Sequence, residues 1–155
     1  MDIDFKSHEI MMREALKLAR RAAEADEVPV GAVIVHGRDV IARAYNQVEM
    51  LKDPTAHAEM IAITQATNYL GSKWLHECVM YVTIEPCSMC SGALVLSRIE
   101  KVFFGAADLK TGACGSVIDI LRNKGLNHQV EVVGGLLKDE CGALMSEFFK
   151  KKRKK

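Results

Sequence analysis

The chain has 155 residues, 49% hydrophobic and 26% charged, which fits one domain of ordinary globular composition and excludes a disordered protein. No apolar run approaches the roughly 18 residues of a membrane helix, and the acidic opening Met1-Asp2-Ile3-Asp4-Phe5 lacks the basic and apolar segments of a secretory signal. The net charge of +1 hides an acidic body: the segment 150–155 holds six of the 21 basic residues, leaving 15 basic against 20 acidic side chains in residues 1–149.

Ser7 is placed to cap a first helix reaching about Asp26, with Met11, Ala15, Leu18, Ala19 and Ala22 on one face at helical spacing. Two runs rich in β-branched residues follow, Gly31–His36 and Val40–Tyr45, flanking Gly37-Arg38-Asp39 as a hairpin turn. The polar stretch Asn46–Thr55 reads as a loop, and a second helix is expected from His57 to about Tyr69. Val79–Ile84 reads as a buried strand. Pro86 suits the first turn of a third helix reaching about Ser97, because the N–H it lacks is not needed there. Lys101–Ala106 is a further strand, and strand, helix and strand in this order imply a parallel crossover. A loop of small residues at Ala107–Gly115 precedes a short helix near Val117–Arg122, a strand at Val130–Val133 and a last helix from Lys138 to about Lys151. This order predicts an α/β fold, a three-layer α-β-α sandwich around a central mixed five-stranded sheet. No linker or repeat interrupts it, so one domain over 1–149 and a basic tail over 150–155 are expected. The tail suits a polyanion, nucleic acid first, and equally a solvated terminus.

Two short segments carry chemistry: His57-Ala58-Glu59 and Pro86-Cys87-Ser88-Met89-Cys90. Cys87 and Cys90 are three apart at a helix start, where one face presents both sulfurs and the helix dipole favours thiolates. His57 begins another helix. Should the two helix starts converge, one imidazole and two thiolates form a three-ligand zinc site whose fourth tetrahedral position stays open for water. Glu59 then reaches that water without being a ligand, and positioned proton transfer of this kind contributes roughly 10²–10⁴-fold. A lone C-x-x-C fits a structural zinc knuckle or a redox pair as well. Five cysteines and no signal segment argue for a reducing, cytoplasmic compartment, with Cys78, Cys114 and Cys141 as small apolar fillers.

The pattern H-x-E followed by P-C-x-x-C is the zinc deaminase signature. With it, Glu27–Val33, Asp53–Glu59, Tyr81–Cys87, Lys110–Ala113 and Ser146–Phe149 make the chain resemble, over nearly its whole length, the bacterial-type tRNA adenosine deaminases of the zinc-dependent cytidine/deoxycytidylate deaminase superfamily. The resemblance implies a cytidine deaminase-like fold and one Zn2+ per subunit on His57, Cys87 and Cys90. The reaction it implies is hydrolytic deamination of adenosine to inosine at the wobble position of a tRNA anticodon. Water attacks C6 of adenine, and Glu59 protonates the ring nitrogen and later the departing ammonia. A homodimer with the anticodon stem-loop touching both subunits is implied as well.

The family's matching positions assign Asn46 to a hydrogen bond with the flipped base, and Pro29 and Val30 to the apolar wall of its pocket. Asp108 and Lys110 fall where the family meets the anticodon ribose and phosphates; Ala107 departs from relatives that carry a basic residue before the Asp. Of Phe148 and Phe149, one is expected in the core, and Phe149 is assigned to stacking on a splayed base. Each has a plainer reading: Asn46 as a strand terminator, Pro29 and Val30 as ordinary packing. Two other functions fit the signature. One is a deaminase of free cytosine, guanine or cytidine, which needs neither the tail nor the Asp108–Lys110 loop. The other is a zinc-stabilised RNA-binding module with all four metal positions filled by protein.

Overall fold

The computed structural model describes residues 5–154; the acidic opening Met1–Asp4 and the last tail residue, Lys155, lie outside them. Helix α1 spans Phe5–Glu24, so Ser7 falls inside its first turn rather than at a cap. Met12, Ala15, Leu16, Ala19 and Ala22 are buried along one stripe of it. Strands β1 (Gly31–His36) and β2 (Asp39–Tyr45) form an antiparallel hairpin that turns at Gly37, where φ is +63°.

The expected loop after β2 contains a one-turn helix, α2 (Val48–Leu51). Its cause lies upstream. The buried carboxylate of Glu27 accepts the amides of Glu49 and Met50 at 2.9 and 2.8 Å, satisfying donors that a helix start leaves free. Helix α3 (Ala58–Leu70), strand β3 (Cys78–Ile84), helix α4 (Ser88–Leu96) and strand β4 (Lys101–Ala106) follow in the expected order. Pro86 stands just outside α4, not in its first turn, and Cys87 is the N-cap.

The helix expected near Val117–Arg122 does not form. Turns take its place, joined by an isolated bridge between Cys114 and Asp119. The Ile118 carbonyl accepts the Gly115 amide and the Arg122 amide goes to the Asp119 carboxylate, so the bond a helix would make between Arg122 and Ile118 is not formed. Glu85 takes the amides of Cys114 and Ser116, and Arg122 Nη2 donates to the Cys114 carbonyl at 2.9 Å while its Nε binds Asp119. Strand β5 (Glu131–Gly134) and helix α5 (Lys138–Arg153) complete the chain, and Lys150–Arg153 form the last turn of α5.

The sheet order is β2-β1-β3-β4-β5, with β1 antiparallel to both neighbours and β3, β4 and β5 parallel. Val33, Val35, Tyr81 and Phe103 face α1 and α5, while Ala32, Ile34, Met80, Val82 and Phe104 face α3 and α4. Alternate residues of the same strands thus fill two cores, as a two-residue period requires. The result is the mixed five-stranded sheet between two helical layers. At Gly31 the α1 layer touches the sheet backbone: a Cβ would overlap the Ala15 carbonyl oxygen and lie 2.7 Å from the Ala19 nitrogen. Among the described residues no helix is long and apolar enough to cross a membrane. The carboxyl ends of the parallel strands β3 and β4 open beside the start of α4, where α/β sheets place their ligands.

Candidate active site and metal centre

His57 and Cys87 are both N-cap residues, of α3 and α4, and each has extended backbone angles that turn its side chain beyond the helix end. Neither side chain caps its own helix. Asn46, just past β2, does that work for α3: its Oδ1 accepts the Ala58 amide at 2.7 Å. Freed from capping, the His57 ring lies with Nδ1 at 3.7 Å from Cys87 Sγ and 3.6 Å from Cys90 Sγ.

These separations match a metal centre. Zinc–sulfur and zinc–nitrogen bonds of about 2.3 and 2.05 Å at tetrahedral angles put N and S about 3.6 Å apart. Among the described residues, His57, Cys87 and Cys90 are the set positioned to hold a metal ion, their ligand atoms lying within 4.8 Å of one another. The charge pattern agrees. The Cys90 thiol donates to the Cys87 sulfur and holds Cys87 down to about 4, with His57 adding to the effect. The same bond, with burial, pushes Cys90 up. A cation held by these donors would favour both sulfurs as thiolates.

Glu59, the second residue of α3, is 3% exposed on the floor of a cleft of about 610 Å³. Burial pushes its carboxyl up to about 7, against its own backbone N–H and the His57 imidazole. A carboxyl that gains and loses a proton near neutrality is suited to moving one.

The other residues singled out in the sequence fall around this cleft. Asn46 is 7% exposed and lines it; since Oδ1 faces the Ala58 N–H, the amide nitrogen is its remaining polar group. Val30 lines the cleft, whereas Pro29 is buried and does not, and Val28 takes that wall position instead. A strand-like alternation starting before Gly31 was the available signal for Val28 over Pro29. Phe148 and Phe149 both line the cleft, edge to face at 5.3 Å, with Phe149 the more exposed at 40%. Asp108 forms part of the rim, and Lys110 lies outside it in an adjoining groove with Lys150 and Arg153.

The Asp108 carboxylate is turned inward. It accepts the Lys110 and Thr111 amides at 3.0 and 3.1 Å and the Thr111 hydroxyl at 2.7 Å. Burial raises this carboxyl, but those bonds, Thr111 foremost, hold it below the usual range. Two buried carboxylates, Glu27 and Glu85, were not singled out as site residues in the sequence. Their partners are backbone amides 22 to 31 residues away, which no local pattern announces.

Comparison with known proteins places this geometry. A profile described as MafB19-like deaminase matches residues 6–153. The tRNA-specific adenosine deaminase of Bacillus subtilis is 50% identical, over 95% of this chain and 91% of that one. That of Aquifex aeolicus is 54% identical, over 94% and 95%. Among solved structures, one from a study of A-to-I editing by tRNA:A34 deaminases superposes with a TM-score of 0.84 at 41% identity, covering 87% of this chain and 98% of that one. The guanine deaminase of Nitrosomonas europaea gives 0.77 at 27% identity, covering 90% and 83%. By these matches the chain belongs to the MafB19-like deaminase family, alongside the bacterial tRNA-specific adenosine deaminases.

Proposed function

We propose that this protein is a zinc-dependent hydrolytic deaminase that converts adenosine to inosine at the wobble position of a tRNA anticodon. The observation that carries the reading is the meeting of His57 Nδ1 with two cysteine sulfurs at 3.6 and 3.7 Å beside the buried Glu59. His57, Cys87 and Cys90 would hold the zinc, which when bound would supply a Lewis acid able to activate water near neutral pH. Glu59 takes a proton from the attacking water, delivers it to the purine ring nitrogen and passes the next one to the departing amino group. Water and adenosine thus give inosine and ammonia.

The rest of the cleft binds. Val28 and Val30 form an apolar wall with Pro29 packed behind them. Asn46 offers its amide N–H2 to an acceptor on the base edge. Phe149 stacks on a splayed neighbouring base, and Lys110 with the last turn of α5 meets phosphates. A homodimer with RNA crossing both subunits, and a cytoplasmic location, belong to the same reading. The kinship with tRNA-specific enzymes at 50% and 54% identity supports tRNA over a free base.

The decisive experiment offers the pure protein an anticodon stem-loop with a wobble adenosine. Inosine is expected, with no turnover of free guanine, cytosine or cytidine. Turnover of a free base without inosine in the stem-loop replaces this reading with a small-molecule deaminase. Sedimentation at working concentration tests the dimer.

A further inference from the structure

Glu85 joins the end of β3 to Pro86-Cys87, and no step of the proposed chemistry uses it. We infer that Glu85 is a positioning residue for substrate: its carboxylate fixes the rim loop 107–116 against the metal-bearing segment and so sets how tightly RNA beside the target base is gripped. The inference rests on the proposed function for the identity of the substrate.

The side chain is 2% exposed, yet it accepts four hydrogen bonds, all from that loop. Oε1 takes the Asp108 amide at 3.1 Å and the Ser116 hydroxyl. Oε2 takes the amides of Cys114 and Ser116 at 2.9 and 3.1 Å. Three of the four are N–H groups that can only donate, and they meet both oxygens, so a carboxylate fits where an amide does not. Gly112 closes the loop over this carboxylate; a Cβ there would overlap it. A further tie, from the Ala113 amide to the Pro86 carbonyl at 2.9 Å, fastens the loop to the residue before the first sulfur ligand.

From this anchor the rim is built outward. Asp108 hangs from Glu85 by its amide and closes the turn to Thr111 with its own carboxylate. The turn presents Leu109, 81% exposed, and Lys110 along the groove shared with Phe149, Lys150 and Arg153. Glu85 therefore acts on substrate through the loop. The metal set and Glu59 are held by the starts of α3 and α4, and the Glu85 carboxylate hydrogen-bonds none of them.

The test compares steady-state kinetics on the stem-loop for Glu85→Gln and Ser116→Ala with the unsubstituted protein. Glu85→Gln turns a donor toward loop donors and is expected to raise KM roughly 10- to 100-fold. Ser116→Ala, which leaves every backbone bond to Glu85 in place, is expected to raise KM about threefold. In both, zinc per chain is unchanged and kcat stays within about twofold. A purely stabilising role would lower the melting temperature and leave KM alone. Unchanged KM in the folded variants, or a fall in kcat or zinc content at unchanged KM, overturns the inference. Absence of inosine with the unsubstituted protein is a separate result, and it removes the proposed function and this inference together.

Discussion

Asn46 holds the start of α3 for His57: its Oδ1 accepts the Ala58 amide at 2.7 Å, one residue past the imidazole that faces the two sulfurs. The same side chain turns its amide nitrogen to the remaining space beside the cleft. Two roles in one residue are separable by substitution. Asn46→Ala leaves a buried amide unpaired and is expected to cost about 1–2 kcal/mol of stability and to weaken zinc binding. Asn46→Asp keeps the acceptor at a helix start that favours negative charge, so unfolding in urea should shift by no more than about 0.5 kcal/mol. Its turnover of the stem-loop should still fall at least tenfold, roughly one hydrogen bond's worth. Full turnover in Asn46→Asp removes the amide from base recognition.

Glu59 is expected to be dispensable for metal and essential for chemistry. Glu59→Ala should retain one zinc per chain by metal analysis and lose roughly 10²–10⁴-fold in kcat, the usual worth of a positioned acid–base group. Retained activity takes the proton-transfer role away from it.

The five thiols should differ sharply once a chelator has removed zinc. Cys87 is half-buried and held down to about 4 by the Cys90 thiol and His57, so it is a thiolate at pH 7. Burial pushes Cys78 up to about 11 and Cys114 and Cys141 up to about 12, so these three stay protonated well above neutral pH. Iodoacetamide followed by peptide mass mapping should find one fast site, Cys87, which zinc protects. Rapid labelling of Cys141 in folded protein contradicts the packing beneath α5.

The basic turn at the end of α5 should be read in salt dependence. Lys152 is paired with Asp26 at 3.0 Å, while Lys150 and Arg153 line the groove beside the rim loop. Changing Lys150, Lys151 and Arg153 to Gln should reduce the slope of log affinity against log salt by up to about 2, at about 0.7 per lost phosphate contact. A slope that does not move leaves these charges solvated, as a free-base deaminase requires.

Gly31→Ala probes the fold itself. Its Cβ would overlap the Ala15 carbonyl oxygen, so α1 must lift from β1. A loss of roughly 3 kcal/mol in urea unfolding is expected, at the upper end for overpacking a well-filled core. A stability change near zero shows that α1 moves away freely.

Much of the chemistry was legible in the sequence because it is local. His57-x-Glu59 and Pro86-Cys87-x-x-Cys90 each sit within one helix start, so the short spacing alone brings the members of each segment to one helix end. The strands were legible for a similar reason: the β-branched run at Gly31–His36 and the valine- and phenylalanine-bearing run at Lys101–Ala106 begin and end where the pattern does. The pieces that were misread depend on distant partners. Helix α2 exists because Glu27 reaches its first amides, and the stretch near Val117–Arg122 follows a turn that the distant Glu85 pins by the Cys114 and Ser116 amides, with the Ile118 carbonyl given to the Gly115 amide instead of to a helix.

By itself the sequence determined a three-layer α/β domain and a donor set of one imidazole and two thiols with a carboxylate nearby, since periodicity and short spacing act within a few residues. The tertiary structure alone decided that Nδ1 is the ring atom facing the sulfurs, that Val28 rather than Pro29 walls the cleft, and that Glu85 anchors the rim. Each of those outcomes turns on a contact between groups far apart in the chain, whose geometry exists once the sheet and both helical layers have packed.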